Sequence, residues 1–255
     1  MQTASTTPFS RNEPDHYEER IDLACAFRWA ERLNMHESVA NHFSLAVSDD
    51  GAKFLINPNL AHFRRIKASD LLLLDANDPD TLERPGAPDA TAWGLHGSLH
   101  RRCPHARCAL HVHSIYATVL ASLQDSTLPP IDQNTAMFFE RYVIDNDYAG
   151  LAFESEGERC AKMFTDPAKR TMIMGNHGIL IIGETVAEAF NRLYYFERAA
   201  ETYIKAKWTG EPLRVMSDEI AREVAHEVDT YSPFANGHFG ELKAILDEED
   251  PSYRN

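Results

Sequence analysis

From Tyr17 to Asn34 the apolar positions Ile21, Ala24, Cys25, Phe27, Ala30 and Leu33 recur at helical spacing, which predicts an amphipathic helix covering one face of a sheet. Two β-rich runs follow, Ser38 to Val47 and Lys53 to Ile56, separated by the hairpin turn signal Asp49-Asp50-Gly51. Ser69 to Leu74 reads as a further buried strand and Asn77 to Asp80 as a loop. Asp89 to His100 has helical spacing, with Trp93, His96 and His100 on one side. The apolar run Ala109-Leu110-His111-Val112-His113 has strand character and leads into a helix from Ser114 to Leu123. Pro129-Pro130 breaks the chain before a polar opening, Asp132-Gln133-Asn134, and the aromatic residues Phe138, Phe139 and Tyr142.

Glu154 to Phe164 predicts another helix. Two β-type apolar runs then flank Gly175-Asn176-His177-Gly178, whose glycines permit a tight reversal. Thr185-Val-Ala-Glu188 is a capping box that opens a helix reaching about Trp208, and Gly210-Glu-Pro212 ends it. Met216 to Val228 is one more amphipathic helix, and beyond it the chain reads as polar with scattered aromatics. Strands joined by hairpins, with helices between them and at both ends, predict an α/β sandwich around a mainly antiparallel sheet. Residues 1–16 lack periodicity and are expected to be a flexible lead-in. Residues 17–255 are expected to form a single domain with a C-terminal helical tail from about residue 213.

Composition narrows the partners. Lysine and arginine total 25 against 39 acidic residues, a formal charge of −14, which argues against nucleic acid. No apolar run approaches the ~20 residues needed to span a bilayer, so no membrane partner is expected. The four cysteines form no C-x-x-C pair and the first residues show no basic-then-apolar leader pattern, so a reduced, cytoplasmic setting is expected. The spacing of Cys103, His105 and Cys108 fits no zinc template.

The candidate chemistry sits in the strand at Ala109 to His113. Residues two apart on a strand share a face, so His111 and His113 project together as half a metal site. His177, framed by glycines at a strand end, is the candidate third ligand. Three protein ligands would leave a divalent ion with open positions for water or substrate.

These residues carry a resemblance. His111-Val-His113-Ser-Ile-Tyr116, then Asn176-His177-Gly178, then a long helix containing Glu197-Arg-Ala-Ala200, resemble the class II aldolase/adducin family. Upstream, Asn41-His42-Phe43-Ser44, Leu55-Ile-Asn57-Pro58 and Ser69 to Asp75 extend it to roughly residues 17 to 210. The resemblance implies a three-layer α/β/α fold and a four-fold homotetramer with active sites near subunit interfaces. It also implies a divalent metal, zinc first and manganese or iron as alternatives, held by His111, His113 and His177. Asn41, Ser44, Asn57 and Thr91 are the positions implied to contact substrate.

The chain departs from the sugar-phosphate aldolases in three places. Ala92 stands where the family's proton-moving glutamate falls, Ala90 and Thr91 replace serines, and the segment Ala40-Asn41-His42-Phe43-Ser44 lacks the family's glycine and gains a histidine. Asp89 is read as a helix cap, and supplies a carboxylate only if the register is shifted. Candidate acid-base groups are therefore His96 first, then His42, Tyr116 and Glu140. The family includes decarboxylases of hydroxylated aromatic acids, and these fit the residues better than its phosphosugar aldolases do. The expected activity is a metal-dependent carbon-carbon lyase acting on a small unphosphorylated hydroxy or oxo acid, by decarboxylation or retro-aldol cleavage. The alternatives are a non-catalytic adducin-like interaction domain and a phosphosugar aldolase or epimerase.

Overall fold

The computed structural model describes residues 15–147, 153–231 and 233–255, so all but the last two residues of the expected lead-in lie outside it. Helix α1 (Tyr17–Arg32) precedes the hairpin β1 (His42–Ala46) and β2 (Lys53–Ile56), then β3 (Leu72–Asp75). Next come α2 (Ala90–Arg102), β4 (Cys108–Val112), α3 (Ile115–Ala121), the single turn α4 (Gln133–Ala136) and β5 (Tyr142–Asp145). The chain continues through α5 (Phe153–Met163), β6 (Thr171–Met174), β7 (Gly178–Gly183) and the long α6 (Val186–Trp208). It closes with α7 (Asp218–Thr230) and α8 (Pro233–Glu249). The strands form a seven-stranded sheet ordered β3-β2-β1-β4-β7-β6-β5, antiparallel except where β5 runs beside β6.

Alternation along the central strands sorts their side chains between two helical layers. Phe43, Leu45, Leu110, Val112, Ile173, Ile179 and Ile181 join α1, α3, α6 and α8 in the larger apolar core. Met172, Met174, Leu180 and Ile182 turn the other way and pack with Leu95 and Leu99 of α2, with Cys160 and Ala161 of α5, and with Phe164 just past its end. The result is a three-layer α/β/α sandwich, the layering that the family resemblance implies. His42, Ser44 and His111 occupy the alternate positions of β1 and β4, so they too face the α2 layer. Register places His42 directly opposite His111 on the neighbouring strand.

Some elements differ from expectation. The strand expected from Ser69 begins at Leu72, because Ala68–Asp70 forms a 3-10 turn whose carbonyls bind Arg20: its Nη1 donates to Ala68 O at 3.3 Å and to Leu71 O at 2.7 Å. Tyr142–Asp145 is a sheet-edge strand whose four residues, three half-buried and one buried, are too few to show a period. Residues beyond 228 are more than a polar tail. Phe239, Leu242 and Leu246 on α8 reach into the main core, and Trp29 Nε1 donates to Leu242 O at 2.9 Å. Phe138 is core, edge-on to Phe196 with ring centroids 5.0 Å apart. No helix among the described residues is long and apolar enough to cross a membrane.

The turn from β4 into α3 is anchored from α6. The buried Glu197 carboxylate accepts from Ser114 Oγ at 2.7 Å and from the N-H groups of Tyr116 and Ala117 at 2.9 and 3.0 Å, capping α3. Burial pushes this carboxyl up, against the pull of those three hydrogen bonds. Glu197→Ala leaves three donors without their acceptor and is expected to destabilise the fold by about 2–3 kcal/mol in urea denaturation, with Glu197→Gln costing less. An unchanged midpoint for the alanine variant would mean that the cap contributes nothing.

Candidate metal centre

Three imidazoles meet at one end of the sheet. His111 lies near the end of β4, His113 just past it, and His177 in the turn between β6 and β7. One nitrogen from each lies within 4.8 Å of the others, and the ring centroids are 4.7–4.9 Å apart. The turn works differently from the expected glycine reversal: its left-handed residue is Asn176, at φ 58°. Gly178 is needed for close approach, since a Cβ there would stand 2.6 Å from Val112 O and 2.7 Å from His113 Cδ2.

Hydrogen-bond partners fix the tautomers of the first two rings. His111 Nδ1 donates to Ile179 O at 3.0 Å, and His113 Nδ1 donates to the Glu37 carboxylate. With both rings neutral, both Nε2 atoms carry lone pairs, and they face each other at 3.0 Å. Two acceptors at that distance repel unless a positive charge lies between or beside them, so this donor set fits a divalent cation. Asn41 holds the pieces together, its Oδ1 accepting from Glu37 N at 2.6 Å and from His113 N at 3.4 Å. Burial, reinforced by the surrounding histidines, holds His111 well below the usual imidazole range and pushes His177 down to about 4. Neutral imidazole is the ligating form.

A second chain of polar groups runs behind the first, between the sheet and α2. His100 Nδ1 donates to Ala106 O at 2.7 Å, leaving its Nε2 to accept from Ser44 Oγ at 2.7 Å. The Ser44 oxygen accepts in turn from His96 Nδ1, and His96 Nε2 accepts from His42 Nδ1 at 2.7 Å. One backbone carbonyl thus sets four side chains in sequence and leaves His42 Nε2 as an acceptor. Burial lowers His42 to about 3 and His100 to about 4, and holds His96 well below its usual value. All three rings are neutral.

These groups border a cavity of about 340 Å³. His42, Asn41, Asn57 and Thr91, all expected to serve the site, line it together with the three histidines. Ser44 and His96 are fully buried behind His42, outside the lining, so they act through that ring. Tyr116 does not reach the cavity: its ring lies 5.3 Å from Lys205 Nζ on the helical layer across the sheet. Glu140 is paired at the surface with Arg222, at 2.9 and 3.0 Å.

Asp89 caps α2, accepting from Thr91 N at 2.9 Å and Ala92 N at 3.3 Å. Burial works against its charge, but the hydrogen bonds from Thr91 and Ala92 outweigh it and hold the carboxyl below its usual range. Ala92 does line the cavity, so the space beside it holds no carboxylate from α2. Two acidic residues absent from the sequence-based set do serve the region: Glu37 orients His113, and Glu156 of α5 lines the cavity. All four cysteines are buried and unpaired with one another. Burial pushes the Cys103 thiol up to about 11, which makes it a poor metal ligand.

Known proteins are similar to this chain. A decarboxylase of Streptomyces niveus, NovR, is 27% identical over 205 residues, covering 79% of this chain and 73% of its own. A putative aldolase class 2 protein of Pseudomonas aeruginosa is 26% identical over 244 residues, covering 93% and 92%. The crystal structure of an aldolase II superfamily protein from Pseudomonas syringae superposes with a TM-score of 0.84 at 28% identity, over 96% of this chain and 98% of its own. Residues 21–204, from α1 to near the end of α6, match the Class II Aldolase and Adducin N-terminal domain, and the chain belongs to that family.

Proposed function

We propose that this protein is a divalent-metal-dependent lyase that decarboxylates a small, unphosphorylated hydroxy or oxo acid, with retro-aldol cleavage of the same substrate class as the alternative. The observation that carries this reading is the pair of Nε2 lone pairs on His111 and His113, 3.0 Å apart and each held in place by a partner on the other ring nitrogen. With His177 these residues would hold the ion, zinc by preference and manganese or iron as alternatives, since imidazole suits all three. A bound ion supplies Lewis acidity, drawing off negative charge that develops on a substrate oxygen.

The remaining groups match an acid. Asn41 Nδ2 is buried without a hydrogen-bond partner in a residue 2% exposed, and donates to a carboxylate or oxo oxygen entering the cavity. His42 Nε2, kept as an acceptor by the chain behind it, takes a substrate hydroxyl. No lysine or arginine is among the described residues of the lining to hold a phosphate dianion, and Asp89, whose carboxyl is held below its usual range, adds negative charge there. Ala92 favours decarboxylation, because that reaction needs an electron sink and a late proton donor but no base to begin it. Similarity to the Streptomyces decarboxylase supports the same choice.

The protein is further proposed to work in the cytoplasm as a homotetramer. Ile115 and Val119 of α3 are 53% and 37% exposed beside the β4 turn, an apolar pair suited to cover by a neighbouring subunit. Sedimentation is expected to give about four times the 28.8 kDa chain mass, and a monomer would remove this part of the proposal.

Metal analysis is the decisive test. The purified protein is expected to carry about one equivalent of divalent ion per chain, lost in His111→Ala and in His177→Ala. A wild-type protein that takes up no metal after supplementation would sink the lyase reading and favour a non-catalytic interaction domain. The metal-loaded protein is then offered ortho- and para-hydroxylated benzoic acids and β-oxo acids, with carbon dioxide release as the readout. His42→Gln is expected to keep its metal yet lose about 10²–10⁴-fold in turnover; full turnover would show that the acceptor nitrogen is idle.

A further inference from the structure

We propose that Glu156, on α5, is the proton donor of the cavity, supplying from a neighbouring helix the carboxyl that α2 lacks at Ala92. The inference rests on the decarboxylation reading for its reaction, and on separate observations for its chemistry.

Glu156 borders the cavity together with Ala92 and His177. Its Oε1 is buried and has no hydrogen-bond partner, an unusual state for a carboxylate oxygen that faces a polar site. Arg159 Nη2 stands 3.8 Å away, beyond hydrogen-bond reach, and Arg159 gives its Nη1 to Asp145 instead. Glu156 also lies outside the histidine group whose ligand atoms cluster within 4.8 Å, though it shares their cavity.

Helix packing explains how it gets there. A Cβ on Gly157 would fall 2.1 Å from Gly94 O and 2.9 Å from Leu95 Cα, so the α5 backbone rests directly on that of α2. This contact brings the preceding residue, Glu156, to the rim formed by Ala92 and Leu95, both of which line the cavity. The alanine side chain stops at Cβ and leaves room for the glutamate to reach in.

Burial pushes the Glu156 carboxyl up; Arg159 opposes this and Asp145 adds to it. A carboxyl inclined to keep its proton is suited to the late step. In that step the carbon-carbon bond to the substrate's carboxylate breaks, carbon dioxide leaves, and the bonding pair stays with the remaining skeleton. The Glu156 O-H bond then breaks, its proton goes to the carbon that lost the carboxylate, and water restores the proton. One proton is consumed per carbon dioxide released, and no oxidant or reductant is needed.

Glu156→Gln preserves shape and is the principal test, with Glu156→Asp as the conservative partner. On an acid that the wild type decarboxylates, Glu156→Gln is expected to keep its equivalent of metal while losing about 10²–10⁴-fold in carbon dioxide release, and Glu156→Asp to recover part of it. Turnover of Glu156→Gln within about twofold of wild type would overturn the assignment, as would loss of its metal, which would make Glu156 a ligand. Infrared difference spectra of wild type against Glu156→Gln give a readout that needs no substrate. A protonated-carboxyl band that persists to higher pH than those of surface carboxylates, and is missing in the variant, supports the proposal. If the wild type decarboxylates none of the acids offered, the reaction reading fails alone and the infrared band decides: its absence would overturn the role of Glu156.

Discussion

Two imidazole lone pairs facing each other at 3.0 Å are the constraint on which the rest of this structure turns. Each ring could relieve the repulsion by rotating or by moving its proton, and each is prevented from doing so. Ile179 O on β7 holds the His111 proton on Nδ1, and Glu37, in the loop ahead of β1, does the same for His113. With both rings neutral, the sheet thus presents two converging lone pairs that a cation satisfies. Strands β1, β4 and β7 must be adjacent and in register for this, and both flanking pairings of β4 put His111 at the centre, opposite His42 on one side and Leu180 on the other.

The two faces of the sheet divide the work. One carries continuous apolar packing against α1, α3, α6 and α8 and supplies most of the cohesion of the fold. The other gives up part of its core to a polar spine, His42, His96, Ser44 and His100, which is costly to bury unless every group is satisfied. It is satisfied in series, each donor matched to the next acceptor, and it ends on the Ala106 carbonyl. Such a chain leaves little freedom in the orientation of its first member, and that member lines the cavity. The spine's function is thus to present one nitrogen in one protonation state.

The sequence reveals what regular periods carry. His111 and His113 stand out because a strand repeats every two residues, and His96 and His100 because a helix brings residues four apart to one side. The sandwich and its mainly antiparallel sheet follow from the same periods. Ser44 was legible as a site residue but not in its role, since only the packing of α2 on β1 shows that it joins two histidines. Glu37 and Glu156 left no such trace. One sits in an irregular loop, and the other faces the cavity because of a glycine-to-glycine helix contact that no single-helix pattern encodes. Helix α8 does repeat at helical spacing, at Phe239, Leu242 and Leu246, but Gly237, Gly240 and the acidic end of the segment gave it the look of a polar tail.

The exchange between Ala92 and Glu156 has a physical logic. Directly beside the spine, an ionised carboxylate on α2 would stabilise protonated His42 and weaken the neutral, acceptor state that the chain imposes. Moved onto α5, the carboxyl lines the same cavity, where burial and Asp145 favour its protonated form against the pull of Arg159. The cavity lining then separates an acceptor, at His42, from a donor, at Glu156, and includes the three-histidine group as well. Such a separation suits a reaction in which one group receives a substrate hydroxyl while another delivers a proton to carbon. A single carboxylate at position 92 would have had to do both.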